Sequence, residues 1–230
     1  MGEELDNVTI AKAYARWAPV YDMVFGQVFE HGRMAATAAA DRIGGRILEV
    51  GVGTGISLPD YGRTRRLVGV DLSEPMLRRA RDRVAAEGLT NVEGLAVMDA
   101  RRLGFADNAF DAVVAQYVIT VVPDAEATLD EFARVVRPGG EIILVNHIGA
   151  EAGLRRAFEQ WFSPVARRLG WQLEFQWGRL ELWAERHGGV RLVERRPVPP
   201  LGHFSLIRFA KRGRADTREA VRADRKAARR

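Results

Sequence analysis

Short apolar runs alternate with amphipathic stretches of helix length along most of this chain. The first run, Arg46-Ile-Leu-Glu-Val50, stops at a glycine cluster and reads as a buried strand. Leu67-Val-Gly-Val-Asp71, Val92–Val97 (followed by Met98-Asp99), Phe110–Gln116 and Glu141–Val145 read as four more. After the second run, Ser73 reads as a helix cap with Pro75 in the first turn, and Leu77, Ala80, Val84 and Ala85 as the helix's apolar face. After the fourth, Asp124 opens a helix with apolar positions at Leu129, Phe132, Ala133 and Val136, and Pro138-Gly139-Gly140 reads as its end. Strands alternating with helical crossovers predict an α/β fold built on a doubly wound, mostly parallel sheet.

The flanks extend this plan. Residues 8–43 read as helical, broken at Pro19 and closed by Gly44-Gly45, so that 1–44 forms an N-terminal helical cap. Residues 151–189 read as a helical insertion in which Leu154, Phe158, Trp161, Phe162, Val165 and Leu169 recur at helical spacing beside Arg155, Arg156, Arg167 and Arg168. Val190–Arg195 and His203–Phe209 then add a final hairpin, for seven strands in a core spanning 45–210.

Composition removes several chemistries. The 230 residues include no cysteine, which excludes disulfides and thiol catalysis. His31, His147, His187 and His203 lie far apart and form no HxxxH pair, so no metal is expected. No apolar run reaches the roughly 18 residues of a membrane span. The Met-Gly-Glu-Glu start lacks a basic and apolar leader, so a cytoplasmic location is expected. Net charge is +5: residues 211–230, with nine Lys/Arg against three acids, carry +6, and the first 210 residues carry −1. That tail suits nucleic acid or an anionic membrane, or is simply a solvated end.

In doubly wound sheets ligands bind beyond the carboxyl ends of the strands, here Glu49, Asp71, Asp99, Gln116 and His147. Glu49-Val-Gly51-Val-Gly53-Thr54-Gly55 follows the first strand, and its glycines let the backbone approach a ligand closely. Asp71 lies 20 residues beyond Gly51, where a carboxylate can accept both hydroxyls of a ribose. The dinucleotide fingerprint GxGxxG needs a glycine where this chain has Ile56, which argues against a dehydrogenase. Glu49 is ill placed beside a pyrophosphate and well placed beside an ammonium.

With Asp99 and Pro138-Gly139-Gly140, these residues resemble the class I S-adenosylmethionine-dependent methyltransferases over about 45–147. The resemblance implies a Rossmann-like methyltransferase fold. It places Gly51, Gly53, Thr54 and Gly55 under the methionine part of the cofactor and Glu49 near its amino group. Asp71 would hold the ribose, Leu72 and Met76 would pack near the adenine, and Asp99 and the Ala100 amide would bind its edge. Gln116 would line the methionine side.

A narrower likeness lies in Tyr14-Ala-Arg-Trp17-Ala-Pro19-Val-Tyr21-Asp22 and Phe29-Glu30-His31-Gly32-Arg33, with Leu58-Pro59 and Asp71-Leu-Ser-Glu-Pro-Met76. These look like the soluble bacterial phosphatidylethanolamine N-methyltransferases of the Rhodobacter type. The resemblance implies methyl transfer from S-adenosylmethionine, leaving S-adenosylhomocysteine, to a phospholipid amine. The enzyme would be peripheral on the inner face of the cytoplasmic membrane, with no nucleic-acid partner. Basic amphipathic segments over 8–40 and 151–185 are the docking candidates, although their aromatics also suit packing on the core. Tyr14, Tyr21 and His147 are the catalytic candidates. The tyrosines would orient the amine, and His147 would take a proton, bind the lipid phosphate or make a structural hydrogen bond. His31 and His203 are secondary. A quinone or other small-molecule methyltransferase, an RNA methyltransferase using the tail, and a non-catalytic membrane-binding protein stay open as alternatives. Oligomeric state and the number of methyl groups added also stay open.

Overall fold

The computed structural model describes residues 29–148, 175–199 and 204–213. They form the expected α/β sandwich. A helix, α1, covers residues 29–43. It leads into β1 (Arg46–Val50), β2 (Arg66–Asp71), α2 (Glu74–Ala86), β3 (Val92–Val97) and β4 (Phe110–Gln116). Next come α3 (Ala125–Val135), β5 (Val136–His147), α4 (Trp177–His187), β6 (Val190–Val198) and β7 (Phe204–Lys211).

The seven strands pair in the order β3-β2-β1-β4-β5-β7-β6. The first five are mutually parallel, while β7 runs antiparallel between β5 and β6. Both faces are covered. On one, Ala36, Ala39 and Ala40 of α1 and Leu77 of α2 bury Ile47, Ala112, Val114, Ile143 and Val145. On the other, Leu129 and Phe132 of α3 and Leu180 and Trp183 of α4 bury Leu48, Val113, Ile142, Leu144 and Phe209. Alanines on α1 keep that helix close to the sheet, which brings its first turn over the strand ends.

Three local expectations change. Ser73 occupies the cap position of α2, but its hydroxyl makes no capping bond. Its N–H instead donates to Asp71 Oδ1 at 2.8 Å. Ala85 is exposed, so the buried stripe of α2 is Met76, Leu77 and Ala80. Pro138-Gly139-Gly140 does not stop α3, which ends at Val135. The three residues sit within β5, where pairing jumps from Phe110 opposite Val136 to Ala112 opposite Glu141. Proline has no N–H to give a ladder and is tolerated at such a bulge.

Of the insertion, the described end is α4, and it packs inward. Trp177 and Trp183 are buried. The Trp183 indole N–H donates to Asp130 of α3 at 2.8 Å, and Arg179 pairs with Glu126. These two tryptophans belong to the core and not to a membrane-facing surface, because a buried indole needs a hydrogen-bond partner and here finds one on α3. Among the described residues no helix is long and apolar enough to cross a membrane.

Candidate active site

The sheet reverses its winding between β1 and β4, and that switch point is where this architecture holds ligands. Glu49 is the penultimate residue of β1 and Gln116 the last of β4. Gln116 Nε2 donates to Glu49 Oε1 at 3.2 Å, and the Ser57 hydroxyl donates to the same oxygen. The other oxygen, Oε2, is buried without a hydrogen-bond partner. Burial is the main cause that lifts this carboxyl to about 7, partly offset by Ser57 and neighbouring Tyr61. The buried Tyr61 hydroxyl is pushed up in turn, by burial first and by the Glu49 charge second. An orphaned, electron-rich oxygen at the switch point is what an incoming ammonium would satisfy.

The glycine loop rests on β2. Gly51 and Val52 donate to the Val70 carbonyl at 2.8 and 3.1 Å, and Gly53 N–H donates to Asp71 Oδ2 at 2.9 Å. Gly53 has φ +56°, and a Cβ there would meet no atom within 4 Å, so the loop opens toward free space at that point. Gly55, at φ +74°, does the reverse: a Cβ would lie 3.0 Å from Ala80 and Leu58, so its bareness seats the loop on α2. Thr54 is buried, and Arg83 of α2 donates to its carbonyl at 3.2 Å.

Asp71 thus braces the loop with one oxygen and Ser73 with the other. Burial raises its carboxyl, against the pull of those backbone donors. Leu72 follows in the same turn, half-buried, and Met76 is buried one turn into α2. Asp99 lies after β3 with Ala100 beside it, and the Arg101 guanidinium and N–H grip it at 2.8 and 2.9 Å. Arg101 was not foreseen, and any adenine edge bound by Asp99 would share it with that arginine.

His147 ends β5, as expected, with its ring edge-on to Phe204 at 6.3 Å. His31 is exposed on α1. Tyr14, Tyr21, His203 and residues 214–230 of the tail lie outside the described residues, while Lys211, expected in the tail, ends β7. Among the described residues no group of His, Asp or Glu is placed to hold a metal.

Several residues at this end were not singled out from the sequence. Ser57 and Tyr61 complete the Glu49 pocket. Arg33 of α1 pairs with Asp60 at 2.6 Å and clasps the helix to the turn after the glycine loop. Tyr117, directly after Gln116, adopts φ +62° and packs its ring 4.2 Å from Phe29. Arg33 lies in the Phe29–Arg33 stretch that carries the family likeness but without an assigned role, and no motif marks Ser57, Tyr61 or Tyr117.

Comparison with known proteins agrees with this geometry. Residues 48–144 match the methyltransferase domain family. The chain is 42% identical over 209 residues to the phosphatidylethanolamine N-methyltransferase of Cereibacter sphaeroides, covering 91% of this chain and 100% of that one. It is 30% identical over 197 residues to a ubiquinone/menaquinone biosynthesis C-methyltransferase of Cupriavidus taiwanensis, covering 80% of each. A solved S-adenosylmethionine-dependent methyltransferase from Thermotoga maritima superposes with TM-score 0.65 at 24% identity, covering 87% of this chain and 99% of that one. The chain is a class I S-adenosylmethionine-dependent methyltransferase. Within that class it belongs to the family of the Cereibacter phosphatidylethanolamine N-methyltransferase.

Proposed function

We propose that this enzyme methylates the amine of phosphatidylethanolamine, and of its mono- and dimethyl forms, at a membrane surface. The observation that carries the reading is the 42% identity running the whole length of a phosphatidylethanolamine N-methyltransferase. When bound, S-adenosylmethionine supplies a methyl group on a sulfonium and leaves as the neutral thioether S-adenosylhomocysteine.

The chain's own residues would divide the work as follows. Glu49, through its unsatisfied Oε2, takes the ammonium of the methionine part, with Gln116 holding the carboxylate in place. The open side of Gly53, with Gly51, Thr54 and Gly55, leaves room for that part to lie on the loop. Asp71 accepts the ribose hydroxyls, Leu72 and Met76 flank the adenine, and Asp99 with the Ala100 amide takes its edge. The acceptor amine must lose a proton, because an alkyl ammonium with pKa near 10 has no lone pair to attack with. His147, at the end of β5, would accept it or meet the lipid phosphate. Tyr14 and Tyr21 are assigned from the sequence to orient the amine. Docking on the inner face of the cytoplasmic membrane would draw on the basic tail and the N-terminal segment.

The test is direct. Purified protein is mixed with methyl-labelled S-adenosylmethionine and vesicles containing phosphatidylethanolamine, and the lipids are separated. Label in methylated lipid is the expected result. Cofactor binding without labelled lipid would discard the acceptor. The 30% identity to a quinone C-methyltransferase would then direct the next assay to quinones.

A further inference from the structure

Along the acceptor end of the sheet, the polar lining of the cofactor pocket gives way to aromatic rings. Gln116 touches Glu49, and the next residue, Tyr117, turns its ring to Phe29 and Phe204. Phe204 stands edge-on to Tyr117 at 5.2 Å, to Phe29 at 5.4 Å and to His147 at 6.3 Å. The four rings come from α1, the turn after β4, the end of β5 and the start of β7. All four are half-buried and so keep part of their surface open.

The cluster is held against a cost. A bulky residue at positive φ is an outlier, and Tyr117 sits at +62°. Its N–H donates to the Val145 carbonyl at 2.6 Å, and its hydroxyl donates to the Phe29 carbonyl at 3.1 Å. Gly32 supplies the space: a Cβ there would lie 2.2 Å from the Tyr117 hydroxyl. Backbone strain, a side-chain anchor and a bare glycine thus all fix one ring position, next to the residue that touches Glu49.

We infer that Tyr117 and Phe204, backed by Phe29, form the subsite that receives the ammonium of the acceptor and favours its more methylated forms. The inference rests on the lipid-amine reading above and extends it to how far methylation runs. Each added methyl weakens the hydration of an ammonium and adds apolar surface, so an aromatic wall gains most on a di- or trimethylated nitrogen. A pocket lined by carboxylates would show the opposite preference, for the bare ammonium.

The test uses the full chain, vesicles carrying phosphatidylethanolamine or its mono- or dimethyl form, and the variants Phe204→Leu, Phe204→Tyr and Tyr117→Phe. Phe204→Leu should lower kcat/KM about tenfold on the dimethyl lipid and less than about threefold on the unmethylated one. Its cofactor Kd and thermal midpoint should stay near wild type, and partly methylated lipid should accumulate. Phe204→Tyr, which keeps the ring, should retain the wild-type preference, while Tyr117→Phe, which keeps its ring but loses the hydroxyl bond to the Phe29 carbonyl, should weaken that preference less than Phe204→Leu does. Equal losses on all three acceptors, or none, would overturn the subsite. Saturation transfer from protein to tetramethylammonium in NMR gives a second readout without lipid. Transfer that weakens in Phe204→Leu, from a wild type that methylates no lipid, would end the lipid reading and keep the aromatic subsite. Transfer that is absent, or unchanged by the substitution, would overturn the subsite whatever the lipid assay shows.

Discussion

The two halves of the strand-end surface are built on opposite plans. Over β1 to β3 the lining is backbone amides and three carboxylates, Glu49 and Asp71 at the ends of β1 and β2 and Asp99 in the turn just after β3. Over β4, β5 and β7 it is rings, supplied by segments as far apart as Phe29 and Phe204. On the proposed function, the first half would bind by hydrogen bonds and charge, and so discriminate sharply among ligand groups. The second offers π-faces, and so would tolerate a group whose shape changes between rounds of the reaction. A donor that is always the same molecule and an acceptor that gains methyl groups would call for that division.

Removing Asp71 should separate the halves most strongly. Asp71→Ala takes away the proposed acceptor for the ribose together with the brace of Gly53, and cofactor Kd should weaken on the order of a hundredfold. Calorimetric titration measures it, and a change under about fivefold would deny Asp71 that role. On the aromatic side, Gly32→Ala should push Tyr117 aside. It should cost roughly tenfold to a hundredfold in kcat/KM on lipid while leaving cofactor Kd within about twofold. A parallel loss of cofactor affinity would mean that the halves are mechanically coupled.

The Glu49 carboxyl gives a subtler test. Burial moves it from an ordinary 4.5 to about 7, so between those values the folded protein keeps a proton that the unfolded chain has released. Stability therefore falls as pH rises through that window, by roughly 3 kcal/mol in all. Cofactor affinity should move the other way and tighten from about pH 6 to about pH 8, because the ionised form is the partner for an ammonium. Glu49→Gln should flatten both profiles, read by denaturant titration and by calorimetry across pH. An unchanged slope would place the titrating group elsewhere. The smallest expected effect lies far from either half. Trp183→Phe deletes the indole bond to Asp130 and should cost about 1 kcal/mol of stability with turnover unaffected.

The same contrast explains what was legible in the sequence. The glycine loop, Asp71 and Asp99 sit within a few residues of the strands that place them, so spacing alone located them. β1, β2, β4 and β5 were visible because parallel strands buried on both faces read as continuous apolar runs. The aromatic cluster was not visible, since nothing in the dipeptide Gln116-Tyr117 announces a left-handed turn or a partner 88 residues away at Phe29. Arg101 escaped for a different reason: an arginine two residues after an aspartate is ordinary, and only the turn makes it a clamp. The Pro-Gly-Gly run misled because a bulge inside a strand and a helix stop draw on the same residues.

The position of β7 bears on how the chain is synthesised. It is the last of the described strands to leave the ribosome, yet it lies inside the sheet between β5 and β6, where Arg208 bridges Glu141 of one neighbour and Glu194 of the other. Until it emerges, β5 presents an unpaired and strongly apolar edge, Ile142-Ile143-Leu144-Val145, to whatever the nascent chain meets. Completion of the sheet is thereby deferred until β7 has emerged, and a ribosome stalled before residue 204 would display a ready template for aggregation or for a chaperone.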